Sequence, residues 1–339
     1  GSLKIKGVSY ATDGLLQIAL TENSPFNAND VIGASGIELK IDGKPVAITS
    51  AVQTDDPKKI NISVDLSLTK KGDIFTITSE SLFIGPAGNA YSPEVDFSAV
   101  LTGIYDDYSI WSVLDGTIEL NETGWCQDNL VQFTLSKSLA VVDQTSFDCS
   151  LAEVYANGER TSGFSALWHA SVSKLQFNFT YPGTKEGYDI PTLLIKKGSI
   201  IFADGYAYLI DKDVELVYSV AMSRWSVLKT AVIEKVSWPE SARSVQFILT
   251  EECWSYGKDV DTSGATVLSN GQKVENLSAI ADTVQHIHLY GNFSTEVPEG
   301  AERATLVIKA GSVFMQESRS IRFDEDFTLV WDGANWCKA

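Results

Sequence analysis

Apolar and polar residues alternate with a period of two along much of this chain. Ile60, Ile62 and Val64 alternate with Asn61, Ser63 and Asp65. Leu175, Phe177 and Phe179 alternate with Gln176, Asn178 and Thr180, and Ile287 and Leu289 with His286, His288 and Tyr290. Successive side chains of a strand point to opposite faces, so each run predicts a strand with one buried face and one wet face. Gly and Asn punctuate the runs, and no stretch of ten or more residues carries the 3.6-residue period of an amphipathic helix. Asp42-Gly43, Asn157-Gly158 and Asn270-Gly271 each separate two short apolar runs. A type I′ turn needs positive φ at both central residues, so these pairs predict tight hairpins.

The pattern occurs three times. Gln17-Ile18-Ala19-Leu20-Thr21, Gln132-Phe133-Thr134-Leu135-Ser136 and Gln246-Phe247-Ile248-Leu249-Thr250 stand 115 and 114 residues apart. The turn pairs follow at intervals of 115 and 113, and Ile195-Lys196-Lys197-Gly198-Ser199 returns 113 residues later as Ile308-Lys309-Ala310-Gly311-Ser312. Closing strands follow Asp96, Asp213 and Asp326. Markers in one order at one spacing imply internal duplication. Units are expected at 3–103, 104–221 and 222–339. About seven strands per unit, with turns every 8–12 residues, is the density of an immunoglobulin-like or fibronectin-like sandwich. The expected fold is all-β: three tandem β-sandwich domains in an elongated arrangement, joined by short junctions without a Pro- or Gly/Ser-rich linker and with small contacts between units.

Composition narrows the partners. The 339 residues include 44 acidic and 26 basic side chains, a net charge of −18. Such a field repels phosphate backbones and anionic membranes, so nucleic acid is excluded as an expected partner. No apolar run reaches the ~18 residues of a membrane-spanning helix. The opening Gly1-Ser2, without Met, reads as a cloning remnant. Cys126, Cys149, Cys253 and Cys337 lack the spacing of a zinc site, and free thiols and one bridge per unit both fit their positions. Asn-x-Ser/Thr triplets at Asn61, Asn121, Asn178, Asn276 and Asn292 matter only in a secreted eukaryotic protein.

Three sets of residues are candidates for chemistry. All eight Trp lie in the second and third units. Trp111 and Trp225, and Trp125 and Trp238, recur at intervals of 114 and 113, which argues for packing roles. Trp168, Trp254 with Tyr256, and Trp336 are unmatched and are the expected ligand-contacting aromatics. Acidic pairs precede the closing strands: Glu94 and Asp96, Asp211 and Asp213, Asp324 and Asp326. Two residues apart on a strand they share a face, so Asp211, Asp213, Asp324 and Asp326 could hold Ca²⁺ if further oxygens joined them, with a solvated strand entrance as the plainer reading. His286 and His288 share one strand face and could bind a transition metal with a third ligand; alternation aligns them with Gln176 and Asn178, and with Asn61 and Ser63. Signatures of serine hydrolases, phosphate-binding loops and zinc peptidases are missing, and the reading is non-enzymatic.

With its Gln-anchored strands, Asp/Asn-Gly turns and closing strands, the chain resembles the tandem immunoglobulin-like modules of large secreted or surface-attached bacterial proteins. The resemblance covers nearly all of it and implies an extracellular or cell-surface adhesion, spacer or glycan-handling role, with a protein or glycan on a surface as partner and no functional residue carried over. The alternatives are a carbohydrate-binding protein using loop aromatics of the second and third units, or a structural component of an envelope or phage particle.

Overall fold

The computed structural model describes residues 1–186, 190–250, 258–281, 283 and 285–339, with backbone alone at 235 and 237–241. Every regular element among them is a strand, apart from 3₁₀ turns at Ala34–Gly36 and Ala170–Val172. Hydrophobic alternation becomes burial alternation: along Lys59–Val64 and Lys174–Asn178 every second residue is buried.

The same two-sheet layout is built three times. In the first unit one sheet runs Ile5–Thr12, Leu15–Leu20, Lys59–Val64, Ile48–Gln53, Val31–Ile32 in spatial order. Against it packs Phe97–Ile104, Ile74–Ile77, Leu39–Ile41, Lys44–Val46. In the second unit the first sheet runs Thr123–Gln127, Leu130–Thr134, Lys174–Asn178, Ser165–His169, Ser146–Phe147. The third repeats that order with Ile233–Ser241, Ser244–Leu249, His286–Tyr290, Ser278–Ile280, Asp259–Val260. Each sandwich encloses its own apolar core, around Phe75 and Phe83, around Phe133, Trp168 and Phe177, and around Phe247 and Phe314.

The turn pairs take the predicted conformation: φ is 47° and 78° at Asp42-Gly43, 47° and 76° at Asn157-Gly158, and 51° and 79° at Asn270-Gly271. The side chains add a tie across each unit. Asp42 Oδ1 accepts from Ile74 N, Asn157 Oδ1 from Thr192 N and Asn270 Oδ1 from Thr305 N, at 2.8–2.9 Å. Asp or Asn is therefore required twice over, for positive φ and for a carbonyl-like oxygen.

The junctions differ from the small contacts expected. Ser109–Ile118 pairs antiparallel with Phe97–Ile104 of the first unit and parallel with Tyr206–Ile210 of the second, with Val113 as pivot. Arg224–Thr230 does the same between Val214–Ser219 and Arg319–Arg322, pivoting at Val227. Each connector is thus a working strand of two units, and two seven-stranded sheets run through the junctions. Apolar seams reinforce them: Val100, Ile200 and Ala207 at the first, Val217, Leu228, Val313 and Met315 at the second. A junction with no spare residues leaves the chain extended, and an extended chain between two sheet edges satisfies its N–H and C=O groups by pairing with both.

Three tryptophans lock these strands. Trp111 stands opposite Leu101, Trp225 opposite Tyr218 and Trp336 opposite Trp331, all three buried. Trp225 Nε1 donates to Asp128 O at 2.9 Å, and Trp336 Nε1 to Ala242 O at 3.1 Å, carbonyls 114 residues apart in equivalent hairpin turns. Trp336 is therefore matched between units, against the sequence expectation, and its indole closes the third core instead of meeting a ligand.

Candidate functional site

The outer face of the second unit's first sheet gathers an open aromatic ring and a connected row of amides. It begins with the Gln that marks each repeat. Gln132 lies directly across from Gln176, and its Nε2 donates to Gln176 Oε1 at 2.9 Å. Gln176 Nε2 donates to Asn178 Oδ1 at 3.1 Å. His169 Nε2 lies 3.2 Å from the same Gln176 Oε1, and Gln144 Nε2 lies 3.0 Å from His169 Nδ1. An amide oxygen only accepts, so Nε2 of His169 carries the proton and Nδ1 accepts from Gln144. Gln132 and Asn178 sit at the end of the row, where Gln132 Oε1 and Asn178 Nδ2 remain available to solvent.

Trp125 belongs to the neighbouring edge strand, Thr123–Gln127. Thr123 faces Phe133 and Cys126 faces Val131, with a bulge between them. Period two would put Trp125 on the inner side with Thr123. The extra residue reverses that and turns the indole outward, on the side of Gln132. It is 51% exposed, and among the described residues its ring makes no hydrogen bond or ring contact. This corrects the packing role expected for it. The strand itself is fixed: Thr123 Oγ1 donates to Trp225 O at 2.8 Å, and Arg224 donates to Gly124 O at 2.8 Å. Lys174 is the one charged residue named on this face.

The first unit carries a simpler version. Val8 faces Ile18, Ala11 faces Leu16, and the bulge between Val8 and Tyr10 turns Tyr10 outward across from Gln17, 44% exposed. Gln17 Nε2 donates to Asn61 Oδ1 at 2.9 Å, and Ser9 Oγ to Gln17 Oε1 at 2.7 Å. Tyr10, Trp125 and Trp238 are spaced by 115 and 113 residues. That interval was the signal in the sequence; the bulge, which decides the face, was not. In the third unit Gln246 pairs with His288, which the register aligns with Gln176 and Asn61; His286 aligns with Lys174 and Lys59. The alignment of the two His expected from alternation is thus displaced by two residues. His288 is buried, stacked on Tyr290 with centroids 4.4 Å apart, and bonded through Nδ1 to the phenol.

The other expected site residues fall elsewhere. Trp168 is wholly buried in the second core and cannot meet a ligand. Trp254 and Tyr256, with Cys253, lie outside the described residues. Asp213 Oδ1 accepts from Lys197 N and its Oδ2 pairs with Lys196, both at 2.7 Å. Asp326 repeats this with Ala310 N and Lys309, and Asp96 with Ser79. For Asp213 the Lys196 hydrogen bond comes first among the causes, and for Asp326 and Asp96 a backbone N–H does; all three carboxyls are held below their ordinary pKa. Asp324 pairs with Arg322 at 3.0 Å, while Asp211 has one buried carboxylate oxygen without a hydrogen-bond partner. The structure therefore uses Asp213 and Asp326 to anchor turns before the closing strands. Among the described residues no three His, Cys, Asp or Glu side chains are placed to hold a metal ion.

Other surface features are less organised. A concavity of about 380 Å³ at the second junction is lined by Tyr155, Leu194, Lys196, Glu215 and Arg322. Its charges are committed to each other or to neighbours: Glu215 to Arg322, Lys196 to Asp213, Tyr155 to Glu153. At the first junction Tyr105 and Tyr108 stack with centroids 4.7 Å apart on an exposed hairpin tip. Cys126, Cys149 and Cys337 are free thiols, and burial pushes that of Cys149 up to about 12, far from a reactive thiolate. No helix among the described residues is long and apolar enough to cross a membrane.

No protein-family model matches this chain, and no curated protein matches it. Solved structures align along nearly its whole length at low similarity. The central fibronectin-III array of RIM-binding protein is 9% identical with a TM-score of 0.24, over 98% of this chain and 97% of that one. Domains 1–6 of the surface-layer protein SbsC are 12% identical with a TM-score of 0.22, over 100% of this chain and 58% of that one. The Bacteroides ovatus protein SGBP-B of a mixed-linkage glucan utilization locus, solved with a mixed-linkage heptasaccharide, is 14% identical with a TM-score of 0.19, over 98% and 69%. At these scores the superpositions carry no weight. The tandem immunoglobulin-like architecture rests on the sheets, registers and cores themselves.

Proposed function

We propose that this protein acts without catalysis, outside the cell or on its surface, as an array of three β-sandwich units (about 3–103, 104–221 and 222–339) that presents binding faces at fixed separations to a protein or glycan. The observation that carries this reading is the sharing of Ser109–Ile118 and Arg224–Thr230 between successive units. A strand hydrogen-bonded on both edges cannot act as a hinge, so each unit's faces hold their direction relative to the next. Supporting it, the ionisable groups around the concavity at the second junction are spent on ion pairs, and the shifted cysteines move away from nucleophilic character. The test combines scattering with binding. Small-angle X-ray scattering fitting one arrangement of the units, with saturable binding to immobilised surface glycans or extracellular proteins and the partner recovered chemically unchanged, supports the reading. A broad ensemble of interunit angles, or a partner recovered cleaved or modified, overturns it.

A further inference from the structure

Building on the binding-array reading, we propose that the faces carrying Trp125 and Tyr10 are equivalent sites for a neutral glycan, each stacking one sugar ring on the exposed aromatic and hydrogen-bonding it through the adjacent amides. Three observations converge. The first is the ring itself. An indole half exposed on a braced edge strand loses little rotamer freedom on binding, and a sugar's C–H face covers its apolar surface without a deep pocket. The second is the amide row. Gln132, Gln176, Asn178, His169 and Gln144 hold one another in place and leave the Gln132 oxygen and the Asn178 amide hydrogens free. Strand geometry puts those two groups about 7 Å apart, a span a pyranose bridges with one hydroxyl donating and another accepting.

The third observation is the contrast in charge. In a molecule of net charge −18, this face offers amides, an imidazole and an indole with a single lysine. An anionic polysaccharide would meet the repulsion of the whole molecule, whereas a neutral one needs what is there. A protein partner would need more buried area than one ring and a row of amides supplies. The bulge that exposes the ring is present in both units at the same place, Val8 to Tyr10 and Thr123 to Cys126, so the arrangement is built twice. Two weak sites on one rigid frame raise the affinity for a long chain above that for a short one.

The experiment uses the full chain. Immobilised panels of neutral hexose and pentose oligosaccharides and polysaccharides, alongside uronic-acid and sulfated ones, are probed with the native protein, Trp125→Ala, Tyr10→Ala and the double variant, each first shown by melting temperature to be folded as native. We expect binding confined to one or a few neutral glycans, at least tenfold weaker in Trp125→Ala, weaker again in the double variant, and partly restored in Trp125→Phe. Gln132→Ala lowers affinity further, and titration with the bound glycan quenches tryptophan fluorescence in the native protein but not in Trp125→Ala. No neutral glycan bound, preference for the anionic panel, or a native-like double variant overturns the proposal. Binding to an extracellular protein that survives loss of both aromatics would overturn it too, yet leave the array reading standing, whereas failure of the scattering test would not touch this site.

Discussion

Trp168 shows how the interior treats a large side chain with one polar atom. It is fully buried, and its Nε1 finds no hydrogen-bond partner among the described residues. Trp168→Ala should cost about 3–5 kcal/mol, because the cavity adds to the lost transfer energy. Trp168→Phe should cost far less, since an unpaired buried N–H is worth about 1–3 kcal/mol against the native state and its removal offsets part of the lost volume. Urea denaturation of the two variants checks this; a Phe variant as unstable as the Ala one would show that the indole nitrogen is satisfied after all. The contrast with Trp125 explains what the sequence concealed. Both are Trp in strands of the same sheet, and only a bulge of one residue separates an exposed ring from a buried one. Hydrophobic pattern identifies strands, but a bulge breaks the parity by which pattern assigns faces.

Among the strands and turns, the acidic residues before the closing strands are anchors. Asp96, Asp213 and Asp326 each accept a backbone N–H from the preceding turn, 16 or 17 residues upstream, and each has a depressed pKa. A carboxyl whose folded pKa lies below its unfolded value of about 3.9 contributes stability above that value, and the contribution is lost as pH falls through the folded pKa. The melting temperature should therefore decline as pH drops below about 4, and Asp213→Asn, which keeps the acceptor and loses the charge, should flatten that decline. An unchanged acid limb in the combined Asp96→Asn, Asp213→Asn, Asp326→Asn variant would rule this out. The turns and repeats were legible because their intervals are nearly constant. Trp336 was not, because the connector hairpin shortens: ten residues separate Leu101 from Trp111, seven separate Tyr218 from Trp225, and five separate Trp331 from Trp336. The change in loop length carries the third tryptophan out of the fixed interval while leaving it in the same place in the fold.

For the whole molecule, the duplication of units was readable from sequence and their coupling was not. Coupling depends on which sheet edge a connector meets, and nothing local in Ser109–Ile118 encodes its parallel partner 93 residues downstream (Val113 to Tyr206). Val113 is where that coupling is most exposed to attack. It is the pivot between the two pairings, and its N–H donates to Gly205 O at 2.7 Å. Val113→Pro removes that donor and fixes φ near −65°, which a ladder strand does not tolerate away from an edge. The cores of the two units do not depend on the bond, so each should still fold. Calorimetry should then show the first two units melting as one cooperative transition in the native chain and as separate transitions in Val113→Pro, with the second junction, held at Val227, unaffected. If the native chain already melts as three independent units, the shared strand does not couple them. If the variant melts as the native does, the seam of Val100, Ile200 and Ala207 holds the junction without the ladder.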